Sequence, residues 1–395
     1  VNIGGSIPDG WKVVRASDLC RLQRGFDITE ATRVAGSVPV YSSSGISYFH
    51  ARAAVQPPAV VTGRKGLLGR VFYVDEPFWP HDTTLWADDF NGNDPRFVAA
   101  VLAAFHLERL DAATSVPTLN RNNLTAYEVM IPSRRVEQAN IAAVILEADT
   151  QIEALEKLIA KKRDVKLGMV QELLTGSTRL PGFTGEWRDI TLGDHVTYLR
   201  TVALSRDQLD QESPLRYLHY GDIHTRSSVR LDAASESMPR AASHLASRAG
   251  RLAVGDLVFA DASEDPDGVG KSVEVTDVPP EGAVPGLHTI AARFDKSVLA
   301  DGFKGYIQFI PAFRAALLRL AAGTKVLATT RSYISGIALT LPGADEQRAI
   351  AEVLQDVDAE IVAWDRRLEW ARAVKVGMMQ ELLTGRTRLP SKEET

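Results

Sequence analysis

The stretch GMVQELLTGSTRLP (168–181) returns as GMMQELLTGRTRLP (377–390), with only Val170/Met379 and Ser177/Arg386 differing. The two copies lie 209 residues apart. At the same offset, Glu137-Gln138 returns as Glu346-Gln347. Between the pair and the ending, apolar residues fall at alternating gaps of four and three: Ile141, Ile145, Ala148, Ile152, Leu155 and Ile159, then Met169 and Leu173. The second copy keeps this register with Ile350, Leu354, Val357, Ile361, Trp364, Leu368, Ala371, Met378 and Leu382. Such spacing is the a/d seam of a coiled coil rather than the broader stripe of a generic amphipathic helix. Ile141 to Leu173 would span about 50 Å as a helix. Gly176 and Gly385 suit C-terminal caps, with proline following. Lys166 and Lys375 occupy matching seam positions; they either snorkel at a frayed edge or fix register and meet a partner.

Each helix needs a cover for its seam, and the other copy is the simplest one. The chain passes from the end of the first helix into the region 183–342 and leaves that region at the start of the second. The helices are therefore expected to run antiparallel, with one globular region at each end.

The globular regions repeat too. Trp11 and Asp18 match Trp187 and Asp194, both seven apart. TSVPTLNRNNLTAYEVMIP (114–132) aligns with TKVLATTRSYISGIALTLP (324–342), pairing Thr114, Val116, Arg121 and Pro132 with Thr324, Val326, Arg331 and Pro342. Their middles have diverged. AVVTGRKGLLGRVFYVD (59–75) reads as two strands around a tight Gly-Arg-Lys-Gly turn, and GDLVFADA (255–262) as another strand. DPRFVAAVLAAFHLERL (94–110) and GFKGYIQFIPAFRAALLRLA (302–321) read as helices. The expected class is α+β: two α/β domains joined by two long helices in an antiparallel coiled coil, related by an internal pseudo-two-fold. The boundaries are 1–136, 137–176, 177–345 and 346–395.

Composition sets limits. The 395 residues suit two or three domains. Net charge is −5, from 45 Lys+Arg against 50 Asp+Glu, so any nucleic-acid contact must come from placed residues rather than bulk charge. No apolar run approaches the ~20 residues that span a bilayer. The opening VNIGGSIPDGW lacks the basic and apolar segments of a secretory leader. One cysteine, Cys20, allows no internal disulfide, and a reduced, cytoplasmic setting is expected.

Several catalytic patterns fail. DPDGVGKS (265–272) ends like a phosphate loop but has Asp265 where the first glycine must stand, with Glu264 and Asp267 nearby. It reads as a glycine turn carrying Lys271. The histidines His219 and His224 are five apart with no second ligand pair, so no zinc site is read.

The paired EQ helix starts, both QELLTGxTRLP endings, the WxxxxxxD region starts, GRKG, VFYVDEPFWPHDTTLW and PTLNRNN together resemble the DNA-specificity subunit of type I restriction-modification systems. The resemblance spans essentially the whole chain. It implies two target recognition domains, each reading half of a split, asymmetric site in double-stranded DNA. The helices would act as spacer and docking surface for two methyltransferase subunits, which flip and methylate adenine with S-adenosylmethionine. Restriction/translocase subunits would use ATP and Mg. The chain itself would bind no cofactor and no metal, catalyse nothing and need no membrane; it lacks the NPPY-like, DPPY-like and FxGxG patterns expected of a methyltransferase.

Candidate DNA contacts in the first region are Ser42, Ser43 and Ser44 in a polar loop, Arg64 and Lys65 between glycines, and Asn120 and Arg121, suited to adenine and guanine edges. In the second they are His224, Arg226, Lys271, Lys304, Lys325 and Arg331. Arg121 and Arg331, paired across the repeat, could equally hold one shared feature of the fold. Two other classes compete: an antiparallel coiled-coil scaffold with protein-binding globular ends, and an enzyme with an unfamiliar site.

Overall fold

A computed structural model describes residues 7–110, 117–320 and 327–390. The chain forms two compact units, residues 1–157 with 366–395 and residues 158–365. Each unit therefore owns one globular region, the start of one long helix and the end of the other. The long helices are Arg135–Thr175 and Ala344–Leu382.

In the first unit, a four-stranded antiparallel sheet runs Gln23–Arg24, Thr84–Ala87, Ala59–Gly63, Val71–Val74 in spatial order. A three-stranded sheet places Val38–Ser42 between Gly45–His50 and Trp79–Pro80. Trp11–Arg15 pairs with Glu128–Pro132 just before the first long helix. The helix expected over 94–110 runs Pro95–Ala104, with Asp94 capping the amides of Arg96 and Phe97; a 3-10 turn Leu107–Leu110 follows left-handed His106 (φ 51°). The expected tight Gly63–Gly66 turn is instead an eight-residue connection, because the pairing of Thr62 with Val71 ends the hairpin ladder. Burial pushes the Cys20 thiol up to about 12, leaving an inert core residue.

In the second unit, five strands run Val196–Tyr198, Thr289–Phe294, Leu257–Ala260, Ser272–Asp277, Arg230–Asp232. Arg216–Leu218 pairs in parallel with Ala283–Pro285, and Arg188–Thr191 pairs antiparallel with Ala338–Leu341. Of the expected helix over 302–321, the first part is a 3-10 segment, Lys304–Phe309, buried as far as Gln308. The α-helix starts only at Pro311, where the fixed φ and missing N–H of proline suit a first turn.

The seam reading holds. Ile141, Ile145 and Ile159 are buried on the first helix, as are Ile350, Leu354, Ile361 and Leu368 on the second. Ile152, Leu155 and Trp364, away from the globular regions, are half-buried, as a two-helix pair leaves one side of its seam to water. The antiparallel course is written in ion pairs. In the second unit Lys162 meets Glu360, Arg163 meets Asp365 and Lys166 meets Asp358. In the first, Arg372 meets Glu156 and Lys375 meets Asp149. Adding 209 converts Arg163–Asp365 into the mirror of Arg372–Glu156, and Lys166–Asp358 into that of Lys375–Asp149. The seam lysines thus reach across to a carboxylate on the facing helix, and the repeat makes the same contact once in each unit.

The repeated ending has its explanation here. Its arginine grips the glutamate that starts the other helix: Arg179 meets Glu346 at 2.5 and 2.6 Å, and Arg388 meets Glu137 at 2.7 and 3.0 Å. Each guanidinium also donates to a backbone carbonyl, of Gly185 at 2.9 Å and of Asp9 at 2.8 Å. The capping glycines sit at left-handed φ, +71° for Gly176 and +69° for Gly385. A Cβ there would lie 3.0 Å from the ring of Trp187 or Trp11 respectively, so each tryptophan closes over a helix end. Leu173 and Leu174 enter one core, and Leu382 and Leu383 the other. The neighbouring glutamines anchor each helix start: Gln138 bonds Asp94 N, Asn93 Oδ1 and Pro132 O, and Gln347 bonds Ala300 N, Val298 O and Pro342 O.

Two outcomes are expected from equilibrium urea unfolding. Leu354→Ala, fully buried where helix and sheet meet, lowers stability by about 2–5 kcal/mol. Arg179→Gln lowers the unfolding midpoint by stranding the buried Glu346 carboxylate, and adding Glu346→Gln recovers part of the loss.

Candidate nucleic-acid interface

In the first unit, four segments that are distant in sequence converge. Strand Ala59–Gly63 delivers Arg64 and Lys65, whose amides both donate to Thr83 O, at 2.8 and 3.1 Å. Leu119 N donates to Arg64 O at 2.8 Å, Gly66 N to Pro117 O at 3.0 Å, and Lys65 bridges Thr118. His81 N donates to Tyr41 O at 2.8 Å, bringing in the hairpin turn of Ser42, Ser43 and Ser44. Gly63 is closely approached: a Cβ there would fall 2.1 Å from Leu67 O and 3.3 Å from the Ser43 side chain. The expected Ser42–Ser44, Arg64 and Lys65 are therefore neighbours, joined by PTL of the PTLNRNN motif.

Side-chain roles differ within this cradle. Ser42 Oγ lies 2.9 Å from Ser44 Oγ and donates to Gly45 O, holding the turn. Arg64 Nε donates to Asp82 O at 3.0 Å, while its Nη2, 3.8 Å from the Asp82 carboxylate, is buried with no hydrogen-bond partner. Lys65 is exposed. Asp27, His81 and Asp82 hold ligand-type atoms within 4.8 Å of one another. Arg24 sits 3.1 Å from Asp82 and Arg64 stands beside it, so guanidiniums occupy the charge a cation would need.

The second unit builds the same cradle. Asp261 N donates to His288 O at 3.1 Å, as Arg64 N does to Thr83 O. Thr329 N donates to Asp261 O at 2.7 Å, as Leu119 N does to Arg64 O. Ala262 pairs with Ala328 where Lys65 bridges Thr118. Gly286 N donates to Leu218 O at 2.9 Å, as His81 N does to Tyr41 O. Thr84 and Thr289 each turn their hydroxyl onto the carbonyl three residues back, both at 2.7 Å. The side chains are exchanged. Asp261 stands for Arg64, Ala262 for Lys65, His288 for Thr83, and His219 and Tyr220 for Ser42 and Ser43. His288 Nδ1 lies 3.1 Å from Asp261 Oδ1. The Tyr220 ring is centred 4.5 Å from His219, 5.3 Å from His288 and 5.8 Å from His224. Burial pulls the His219 pKa down, against the opposing pull of Asp222, while Arg206 and His288 lower it further. His288 adopts φ +56°, a conformation uncommon for a non-glycine residue.

Several expected contacts are corrected. Lys304 is completely buried, its ammonium on Gly255 O at 2.8 Å and paired with Asp301, and it has no surface to offer DNA. Lys271 Nζ is held by the carbonyls of His224 and Arg226 at 2.7 and 2.6 Å, closing the loop after the short helix Tyr220–His224. Its glycine turn exists, as Pro266–Gly268 with left-handed Gly270, but it directs the lysine inward. Arg226 is paired with Glu236. His224 Nε2 lies 2.9 Å from Ala262 O, at the edge of the cradle. Arg121 and Arg331 do hold one shared feature, donating to Leu22 O at 2.9 Å and Leu199 O at 2.8 Å. Asn120 caps the turn Arg121–Ala126. Lys325, with Thr114, Val116, Thr324 and Val326, lies outside the described residues.

Asp82, Thr83, Tyr220, Asp261 and His288 were not singled out from the sequence. The offset of 210 between Thr118 and Ala328 is the one signal that leads to their positions, and only once the strand partners are known.

The family model "Type I restriction modification DNA specificity domain" matches residues 8–161. Among solved structures, the type I restriction-modification S subunit from M. genitalium aligns with a TM-score of 0.64 at 14% identity, covering 97% of this chain and 98% of that one. A chain from work on the "complex assembly and conformational transition of the type I R-M system" aligns with a TM-score of 0.59 at 15% identity, covering 97% and 100%. Lys304 acts as a structural residue: Lys304→Ala is expected to cost about 2 kcal/mol of stability, measured by chemical denaturation. Residues 8–161 match the type I restriction modification DNA specificity domain, and over nearly its whole length the chain shares the fold of the solved S subunit structure.

Proposed function

We propose that this chain is the DNA-binding specificity subunit of a type I system, recognising a bipartite, asymmetric double-stranded site and directing adenine methylation and restriction by other subunits. The observation that carries the reading is the repeated cradle: one backbone frame, formed twice in one chain, with different side chains in each copy. Phosphate contacts can be identical in two half-sites, whereas base contacts must differ when the half-sites differ. The long helices serve as the spacer between the half-sites. In this reading the chain is not itself an enzyme and binds no cofactor; S-adenosylmethionine, ATP and Mg belong to the partners, and the complex works in the cytoplasm. No helix among the described residues is long and apolar enough to cross a membrane.

Two methyltransferase subunits are supported by a second repeat. Val165 and Leu167 are exposed on one long helix, and Val374 and Val376, at an offset of 209, on the other. Equivalent exposed apolar patches in the two units suit two copies of one partner. Restriction/translocase subunits complete the assembly.

The test is to co-express the chain with its methyltransferase subunit in a methylation-free host and map modified adenines across the genome. Two short defined sequences around a fixed undefined gap are expected. A purified, methylation-active complex that modifies no split motif would overturn the reading in favour of a protein-binding scaffold. Binding of the complex to a duplex carrying the motif should weaken linearly in log–log salt titration, with a slope of about −0.9 per phosphate neutralised.

A further inference from the structure

Resting on the proposed function, we propose that this cradle is the base-reading surface of each unit, with Arg64 setting a guanine in one half-site and Asp261, braced by His288, setting a base with an exocyclic amino group in the other.

The frame identifies the positions. Arg64 and Asp261 take the same two backbone hydrogen bonds, from the amide to Thr83 or His288 and at the carbonyl from Leu119 or Thr329. Each lies just past the end of a central strand, Ala59–Gly63 or Leu257–Ala260. Rigid strands thus place the two side chains equivalently, and what differs between the units is chemistry alone.

That chemistry points to opposite base edges. A guanidinium has only donors. In the major groove its bidentate match is guanine O6 and N7. Arg64 Nε is held by Asp82 O and its unpartnered Nη2 is buried beside the Asp82 carboxylate, so the guanidinium takes a guanine edge by turning away from Asp82, which keeps Arg24 as its partner; exposed Lys65 alongside adds positive charge for the flanking phosphate. A carboxylate has only acceptors and is repelled by phosphate, so Asp261 gains from DNA only at an amino group, cytosine N4 or adenine N6. His288 secures it: the imidazole at 3.1 Å fixes the carboxylate's direction, and the left-handed backbone at His288 turns that ring toward it. Tyr220, packed against His219 and His288, supplies aromatic surface beside the imidazole in place of the serines at Ser42 and Ser43. An Asp–His pair next to a tyrosine is also a candidate hydrolytic group, but the equivalent positions in the first unit, Arg64 and Thr83, carry no such chemistry, whereas both sets can read bases.

The experiment compares the motifs of full complexes containing the original chain, Arg64→Gln, Asp261→Asn and Thr83→His. Asp261→Asn keeps the shape and adds a donor, so one position of one half-site is expected to relax, with discrimination there falling about 10- to 100-fold. The other half-site and the gap stay unchanged. Arg64→Gln relaxes a guanine in the opposite half-site. Thr83→His lies on the half-exposed first-unit frame and alters a base in the same half-site as Arg64→Gln, which keeps the proposal exposed to failure if Asp261→Asn does not assemble. A split motif from the original chain that all assembled variants reproduce at full discrimination overturns the cradle while leaving the proposed function standing. No split motif from the original chain overturns both.

Discussion

Everything in this protein hangs on an arginine at the end of one long helix gripping a glutamate at the start of the other. Arg179–Glu346 and Arg388–Glu137 are the same contact made twice, each beside a glycine cap closed over by a tryptophan. The Glu346 carboxylate is almost entirely buried, so its charge is tolerated only because the guanidinium and its geometry are supplied from the facing helix. That makes the pair an address: only the other copy's ending satisfies it. The fourteen-residue repeat is thereby accounted for nearly side chain by side chain, with leucines for the core, threonine hydroxyls bonding back to the last turn, glycine for the left-handed cap and arginine for the grip.

The same logic explains why the helices tolerate lysine in their seam. Lys166 and Lys375 find Asp358 and Asp149 across the pair, and Arg163 and Arg372 find Asp365 and Glu156. Individually such exposed pairs contribute little stability. Collectively they define register, since a shift of one turn would set lysine against apolar residues and leave carboxylates unmatched.

Against this repeated framework the cradles vary freely. Their shape is held by backbone hydrogen bonds, which any residue but proline can make, so Arg64 and Asp261 occupy one position with opposite charge. Corrections to the expected contacts follow from the same division. Lys304 and Lys271 stood out as cations near glycine, yet both ammonium groups face backbone carbonyls inside the fold. Charge in a sequence does not state its direction, and in a chain with a net charge of −5 many cations are already committed to internal partners.

The sequence alone determined the long helices, their antiparallel course, the pairing of the two halves and the glycine caps. Those features come from periodicity and repetition, which are local and survive in one dimension. It also placed Ser42–Ser44, Arg64 and Lys65 among the candidates, because glycine and serine mark loops. Only the tertiary structure decided that these loops meet segment 117–119, that Asp261 and His288 are their counterparts, and that Lys271, Lys304, Arg121 and Arg331 are tied to backbone carbonyls. The cradle is assembled from four segments whose contacts are long-range backbone hydrogen bonds, and such bonds leave no trace in residue type.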